Sequence, residues 1–436
     1  MRTFQSDYMK NYVSFKLSFL IQGAKLSKKN RNNGFFLENI SYFCIVKHLE
    51  KVIKRLFLLV IALTISILNG FSQDSDPMDS VEVSLITCSP HEQIYSLYGH
   101  SAIRWHDLRQ GGPTQGQDLV FNWGMFSFSK PFFALRFVFG LTDYELVCMN
   151  ASTFWPYYQQ WGSSVMEQVL NLTADEKRKV QQALAENLRP ENRVYRYNFF
   201  YDNCSTRPRD IIERNLNGQI QWVEREGEQP TFREMVRTCN RNHLWSKAGN
   251  DMLLGLKADQ STNRIEQEFL PANLMTDMAQ AQVYENGVYR PLVKEQRMIV
   301  PPGVQLIEPD WIMTPTQFAI LLLILSIAIA WMEWRRKKTF KWLDVSLMMI
   351  QGLAGIALTL MLFSQHPTTT LNLNYLLFNP LPFFFIPSVI RRKKTWWKVQ
   401  MTLLALYAIG AIFQSYPEGM GFLALCLLIR ILINEK

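Results

Sequence analysis

The 436-residue sequence holds only six cysteines and six histidines, and 19% of its residues are charged. Six cysteines are too few for a disulfide-built scaffold, and 48% hydrophobic content is too high for a disordered chain. Gly-rich phosphate loops of the usual spacings are absent, no paired-carboxylate motif is convincing, and no internal repeat is visible. Phosphate cradling and carboxylate-pair chemistry therefore have no motif to rest on.

What is present is charge sorted by region. The net +9 divides into +8 over residues 1–73, −7 over 74–310 and +8 over 311–436. The basic excess lies beside apolar runs and the middle is acidic, so no nucleic-acid partner is expected. The pattern is that of a membrane protein. Five apolar stretches lie near 318–334, 343–363, 373–390, 399–413 and 420–433, predicting an all-α bundle of about five transmembrane helices. Residues 335–341 and 391–398 each carry five Lys or Arg, whereas 364–372 and 414–419 carry none. The positive-inside rule places the two basic connections in the cytoplasm and residues 74–310 outside. Pro380, Pro382 and Pro387 predict a kinked or re-entrant third stretch.

At the other end, Lys51, Lys54 and Arg55 precede the apolar run 56–68 and a small-residue exit, the parts of a signal peptide or a short N-terminal anchor over 51–73. Residues 1–50 fit neither and read as a start-site extension, the true start lying near Val46 or Val52.

Residues 74–310 read as an α+β extracytoplasmic domain. Strands are expected over 81–88, 96–106, 118–126 and 194–200, with a loop over 108–117. Helices are expected from the Thr173/Glu176 capping box to 188 and over 207–216. Cys88, Cys148, Cys204 and Cys239 allow two bridges, or one bridge plus a reserved thiol. Cys204 falls where a strand gives way to a helix. Helix-start N–H groups, with Arg207 and Arg209 if they fold back, would favour its thiolate. The bland alternative is a bridged or buried cysteine. A thiol nucleophile needs a base, and the domain offers His91, His100, His106 and His243. On paired strands His100 and Asn122 would share a face, where an amide oxygen can set the imidazole tautomer. A zinc site from Cys88, His91 and His100 lacks a fourth ligand. Phe132, Phe133, Phe137 and Phe139 with Trp155, Tyr157, Tyr158 and Trp161 read either as core or as an acyl-chain surface.

Leu97-Tyr-Gly-His100-Ser-Ala-Ile-Arg104, Phe121-Asn-Trp-Gly124 and Tyr201-Asp-Asn-Cys204-Ser-Thr206 resemble the Lnb N-terminal periplasmic domain family. The similarity continues through residues 249–255 and 269–273, and the C-terminal bundle also suits that family. The resemblance implies a circularly permuted papain-like, NlpC-like thiol enzyme with Cys204 as nucleophile and His100 as base, Asn122 being the candidate third member. It further implies a lipoprotein N-acyltransferase multi-pass in the inner membrane, its catalytic domain in the periplasm, acting on a lipid ester donor and a diacylglyceryl lipoprotein. No cofactor and no metal is implied. The competing reading is a membrane-tethered cysteine peptidase or amidase acting on cell-wall peptides.

Overall fold

The computed structural model describes residues 35–70, 76–109, 116–126, 131–132, 136–137, 139–305 and 311–435. It divides into two compact units, Met1–Ser75 and Asp76–Lys436. In the first, Phe35–Gly70 (α1) is one continuous helix, so the expected boundary at residue 50 falls inside a helix. The readings of residues before 35 and of the exit at 71–73 lie outside the described residues.

The second unit opens with a seven-stranded sheet, in the order β10-β5-β1-β2-β3-β4-β6, whose pairs are all antiparallel. The strands are β1 (Val81–Cys88), β2 (His100–Asp107), β3 (Asp118–Met125), β4 (Asp143–Asn150), β5 (Val165–Leu170), β6 (Val194–Arg196) and β10 (Val293–Val300). Central β1 is buried at every position but Glu82, because both faces of the sheet are covered. On one face Val83, Leu85, Ile103, Trp105 and Trp123 pack with Val180 and Leu184 of α3 (Ala174–Asn187), Ile212 of α4 (Thr206–Arg214) and Leu274 of α8 (Pro271–Gln280). On the other, Ile86, Ala102 and Val120 meet Phe154 and Tyr158 of α2 (Ala151–Gln160). The Thr173/Glu176 capping box starts α3 with both reciprocal bonds, at 3.2 and 2.8 Å. A small sheet of β7 (Gln219–Gln221), β8 (Gln282–Glu285) and β9 (Val288–Pro291), together with α5 (Phe232–Cys239), α6 (Leu244–Leu253) and α7 (Arg264–Gln267), completes the α/β domain.

Arg104, part of the sequence motif, fixes the register of the sheet. Its guanidinium donates to Asp118 at 2.7 and 2.8 Å and to fully buried Glu167 at 2.9 Å, joining β2, β3 and β5.

The C-terminal region is helical: α9 (Pro315–Arg336), α10 (Lys341–Met361), α11 (Leu381–Ile390), α12 (Thr395–Gly410) and α13 (Met420–Glu435). Among the described residues three stretches are long and apolar enough to cross a membrane, Pro315–Arg336, Lys341–Met361 and Leu373–Ile390. The third is broken, as its prolines predict. A 3-10 turn over Leu373–Leu376 precedes α11, and Asn379 Oδ1 accepts the N–H of Leu381 at 3.1 Å. Gly355 permits this close approach, since a Cβ there would lie 2.2 Å from the Asn379 carbonyl carbon. Near the opposite, basic end, Arg430 pairs with Glu333 at 2.5 Å and with Asp344 at 2.7 Å, all three buried.

The two connections without Lys or Arg grip the α/β domain. Gly255 N–H donates to Thr368 O at 2.8 Å, Asn372 Nδ2 to Met252 O at 2.8 Å and Arg237 Nη2 to Tyr416 O at 3.1 Å; ahead of α9, Met313 O adds a bond from Trp245 Nε1 at 2.8 Å. A Cβ on Gly255 would fall 2.2 Å from Thr370 O, so only glycine allows that fit.

Candidate active site

Strand β2 starts at His100 rather than at the expected residue 96. Residues Ile94–Ser96 form a 3-10 turn, and Gly99 takes φ +78° with its Cα hydrogen facing Cys88 O, 2.8 Å from where a Cβ would stand. That turn aims the His100 side chain at the end of the sheet. Next to it, the Tyr98 hydroxyl accepts from Asn240 Nδ2 at 2.8 Å and Asn250 Nδ2 at 3.2 Å, which braces the turn against α5 and α6.

Cys204 lies two residues before α4, on a turn built by Asn203. The Asn203 side chain is buried; its Oδ1 accepts the N–H groups of Ser205 at 2.8 Å and Thr206 at 3.0 Å, and its Nδ2 donates to Phe199 O and Phe269 O, both at 2.9 Å. Ser205 Oγ adds a bond to Glu268 O at 2.7 Å. The strand expected over 194–200 ends at Arg196, because Asn198 Oδ1 captures the N–H groups of Phe200 and Tyr201 and turns the chain.

The Cys204 and His100 side chains converge on Gly124, near enough for each to shift the titration of the other. His100 Nε2 donates to Asn122 Oδ1 at 2.6 Å, which fixes the orientation of the ring. The β2–β3 ladder ends at the Ile103–Phe121 pair, so His100 and Asn122 share a face and meet by their side chains across an unpaired stretch. A register shift between Asn122 and Met125 bends β3 there. Gly124, at φ +91°, occupies the bend; a Cβ on it would stand 3.5 Å from Cys204 Cβ and 3.9 Å from His100 Cε1. The missing side chain keeps the pair open.

Burial alone would push the Cys204 thiol up, but the His100 imidazole and the N–H groups of Ser101 and Cys204 outweigh it and hold the thiol below its ordinary value. Burial likewise opposes charge on His100, while the Cys204 sulfur and the Asn122 amide raise its pKa. Both shifts favour a thiolate–imidazolium pair.

Other expectations are corrected. Arg207 and Arg209 do not fold back onto the sulfur: Arg207 forks onto Asp202 at 2.6 and 2.8 Å, and Arg209 binds Asp210 and Glu268. The N–H groups of Ser205 and Thr206 are taken by Asn203, so the thiol is served by Ser101 and by Cys204 itself. Cys88, Cys148, Cys204 and Cys239 are all free thiols, so neither of the bridged arrangements that their number allowed is formed. His106 sits six residues farther along β2, opposite Asp118, away from the pair. His91 stacks on Trp161 at 5.0 Å and bonds Ser96 Oγ through Nδ1 at 2.8 Å; among the described residues no cluster of three metal-ligating side chains forms. Asn203, Gly124 and Ser101 were missed as site-builders. The Asn-Cys dipeptide was a signal for the first, but the sequence does not reveal the other two contacts.

Residues 69–238 match the family described as Lnb N-terminal periplasmic domain, and residues 307–435 match the family described as Lnb transmembrane domain. No curated protein and no solved structure matches the chain. The two matches, in this order, point to a membrane-bound lipoprotein-processing protein with a periplasmic domain. Carrying both domains, the chain belongs to the Lnb family.

Proposed function

We propose that this protein is a thiol-dependent lipoprotein N-acyltransferase of the inner membrane. The observation that carries the reading is the convergence of Cys204 and the Asn122-bound His100 on Gly124, with the opposed pKa shifts of the pair, in a chain that also bears membrane-length apolar helices. In this reading the Cys204 thiolate attacks the carbonyl carbon of a lipid ester. The ester C–O bond breaks, the His100 imidazolium protonates the departing glyceryl alkoxide, and a thioester remains. The α-amine of a diacylglyceryl-modified N-terminal cysteine then attacks the thioester carbon. The C–S bond breaks, the thiolate is restored, and His100 takes the proton from the amine. Asn122 holds the imidazole tautomer, and the Ser101 and Cys204 N–H groups are the donors for the oxyanion.

The histidine strand preceding the cysteine helix fits a permuted papain-like, NlpC-like order. We read the five C-terminal helical stretches as five crossings, with 335–341 and 391–398 cytoplasmic. Residues 74–310 then form the periplasmic catalytic domain and 51–73 a signal or anchor. The test is mass spectrometry of lipoprotein N-termini in cells carrying wild-type protein or Cys204→Ala as the sole such enzyme. A free α-amino group in the variant is expected. Unchanged N-acylation overturns the reading, and cleavage of cell-wall peptides by wild type alone would establish the hydrolase instead.

A further inference from the structure

Two parts of the α/β domain reach the same ends of the membrane-length helices. The first is α6. Its Trp245 ring closes a triangle with Trp311 and Phe318, the three centroid distances being 5.3, 5.8 and 6.1 Å. Farther along α6, Lys247 pairs with Glu418 in the connection that leads into α13. Gly419, at φ +85°, lets that connection close on the start of α9, since a Cβ there would stand 2.9 Å from Pro315 O. Helix α6 therefore lies across the paired starts of α9 and α13. The second part is the corner ahead of β4. Gln365, just past the end of α10, donates its N–H to Phe139 O at 3.1 Å, and a Cβ on Gly140 would meet Gln365 Cβ at 3.1 Å. Both places are apolar and open: Ile312 is 96% exposed, Phe363 72%, Trp311 59% and Leu141 36%.

Helix length sets the level of these contacts. The 22 residues of α9 and the 21 of α10 rise about 33 and 32 Å, against a hydrocarbon layer of about 30 Å. With Arg335, Arg336 and Lys341 among the cytoplasmic headgroups, the far ends of both helices emerge at the boundary of the outer leaflet, and tilt sinks them deeper. Phe318, in the first turn of α9, is then inside that boundary, and Trp245 meets it there.

We propose that the α/β domain is seated in the bilayer surface: α6 and the Gly140–Leu141 corner lie in the headgroup–acyl boundary of the outer leaflet, and phospholipid covers Trp311, Ile312 and Leu141. The inference rests on the membrane reading of the helices and not on thioester chemistry. Lipid is the occupant because the surface runs on without a break into the exposed side chains of α9, among them Ile320 and Leu321. Tryptophan suits this layer, with an apolar ring and a polar N–H, and the Trp245 N–H already has its acceptor in Met313. The seat also orients the site. The 139–141 corner enters β4 at the end of the sheet where Met125 faces Glu145, and His100 and Asn122 stand at that same end. The reactive end of the sheet thus faces lipid, and the end where Leu170 pairs with Val293 faces away.

The test places the photoreactive residue p-benzoylphenylalanine at one position at a time in the full chain, held in phosphatidylethanolamine–phosphatidylglycerol vesicles. After irradiation, peptide mass spectrometry reads what each position has captured. Ile312 and Leu141 are the test positions. Leu325, exposed midway along α9, is the lipid reference, and Val288, exposed on the β8–β9 hairpin beside the far end of the sheet, is the water reference. Phospholipid adducts are expected at 312 and 141, within about threefold of the yield at 325 and about tenfold or more above that at 288. Yields at either test position no higher than at 288 overturn the seat, and so does capture of a second copy of the chain there. A position 325 that captures no lipid overturns the membrane reading itself. None of these outcomes touches the thiol chemistry, which the lipoprotein N-termini report separately.

Discussion

The two ends of β2 are held in different ways. At the far end the strand is paired on both sides, and Arg104 ties it to β3 and β5 through Asp118 and Glu167. At the near end the pairing with β3 has stopped, and His100 is held by Asn122 and by the Gly99 turn, with the Cys204 thiol near enough to shift its titration. The locked end sets register, where a slip of one residue would turn every side chain to the wrong face. The open end is where backbone pairing gives way to side-chain chemistry. Rigidity at one end is what allows a gap at the other.

That contrast can be broken experimentally. The largest effect is expected from His100→Ala, which removes the proton acceptor at the open end and should lower acyl transfer about 10³-fold. The protein should melt close to wild type, and the iodoacetamide rate profile should move to higher pH. In wild type this rate should stay high below the usual cysteine range and fall only as pH drops through the lowered Cys204 value, since protonation then removes the thiolate. At the locked end Arg104→Met should behave oppositely: about 3 kcal/mol of stability is lost because Glu167 remains fully buried with only Arg297, 3.9 Å away, as counter-charge, while the folded fraction keeps its alkylation profile. Denaturant titration checks the first half and pH-dependent alkylation the second. Asn203→Ala should cost about 2 kcal/mol and slow alkylation together, since Asn203 builds the turn that presents the sulfur. Asn122→Ala should be the mildest, about tenfold in acyl transfer at near-normal stability, because the imidazole loses only its orienting partner. Equal melting losses for His100→Ala and Arg104→Met would erase the distinction between the two ends.

Much of this was legible in the sequence because it is locally encoded. The alternation over Val81–Cys88, the Thr173/Glu176 box and the basic connections each state their structure within a few residues. His100 and Asn122 are expected on one face only if their strands pair near register, and the observed register supplies that condition. The illegible features depend on distant partners. The first strand residue is His100 because Gly99 meets the carbonyl of Cys88, eleven positions earlier. The bend at Gly124 is visible only once β4 is in place, and the commitment of Arg207 to Asp202 rather than to the sulfur is a tertiary choice among carboxylates. The free cysteines could not be read from their number, since four thiols permit bridging without requiring it.

The seat of Gly255 on the carbonyls of Thr370 and Leu371 has a mechanical consequence. A domain fastened at that seat and through Asn372, Tyr416 and Met313 cannot swing freely on a tether, so its reactive sulfur keeps one height above the bundle. Under the proposed function each lipid must therefore climb the same distance to reach the sulfur, and a bulky side chain at position 255 would alter that climb without touching the chemistry.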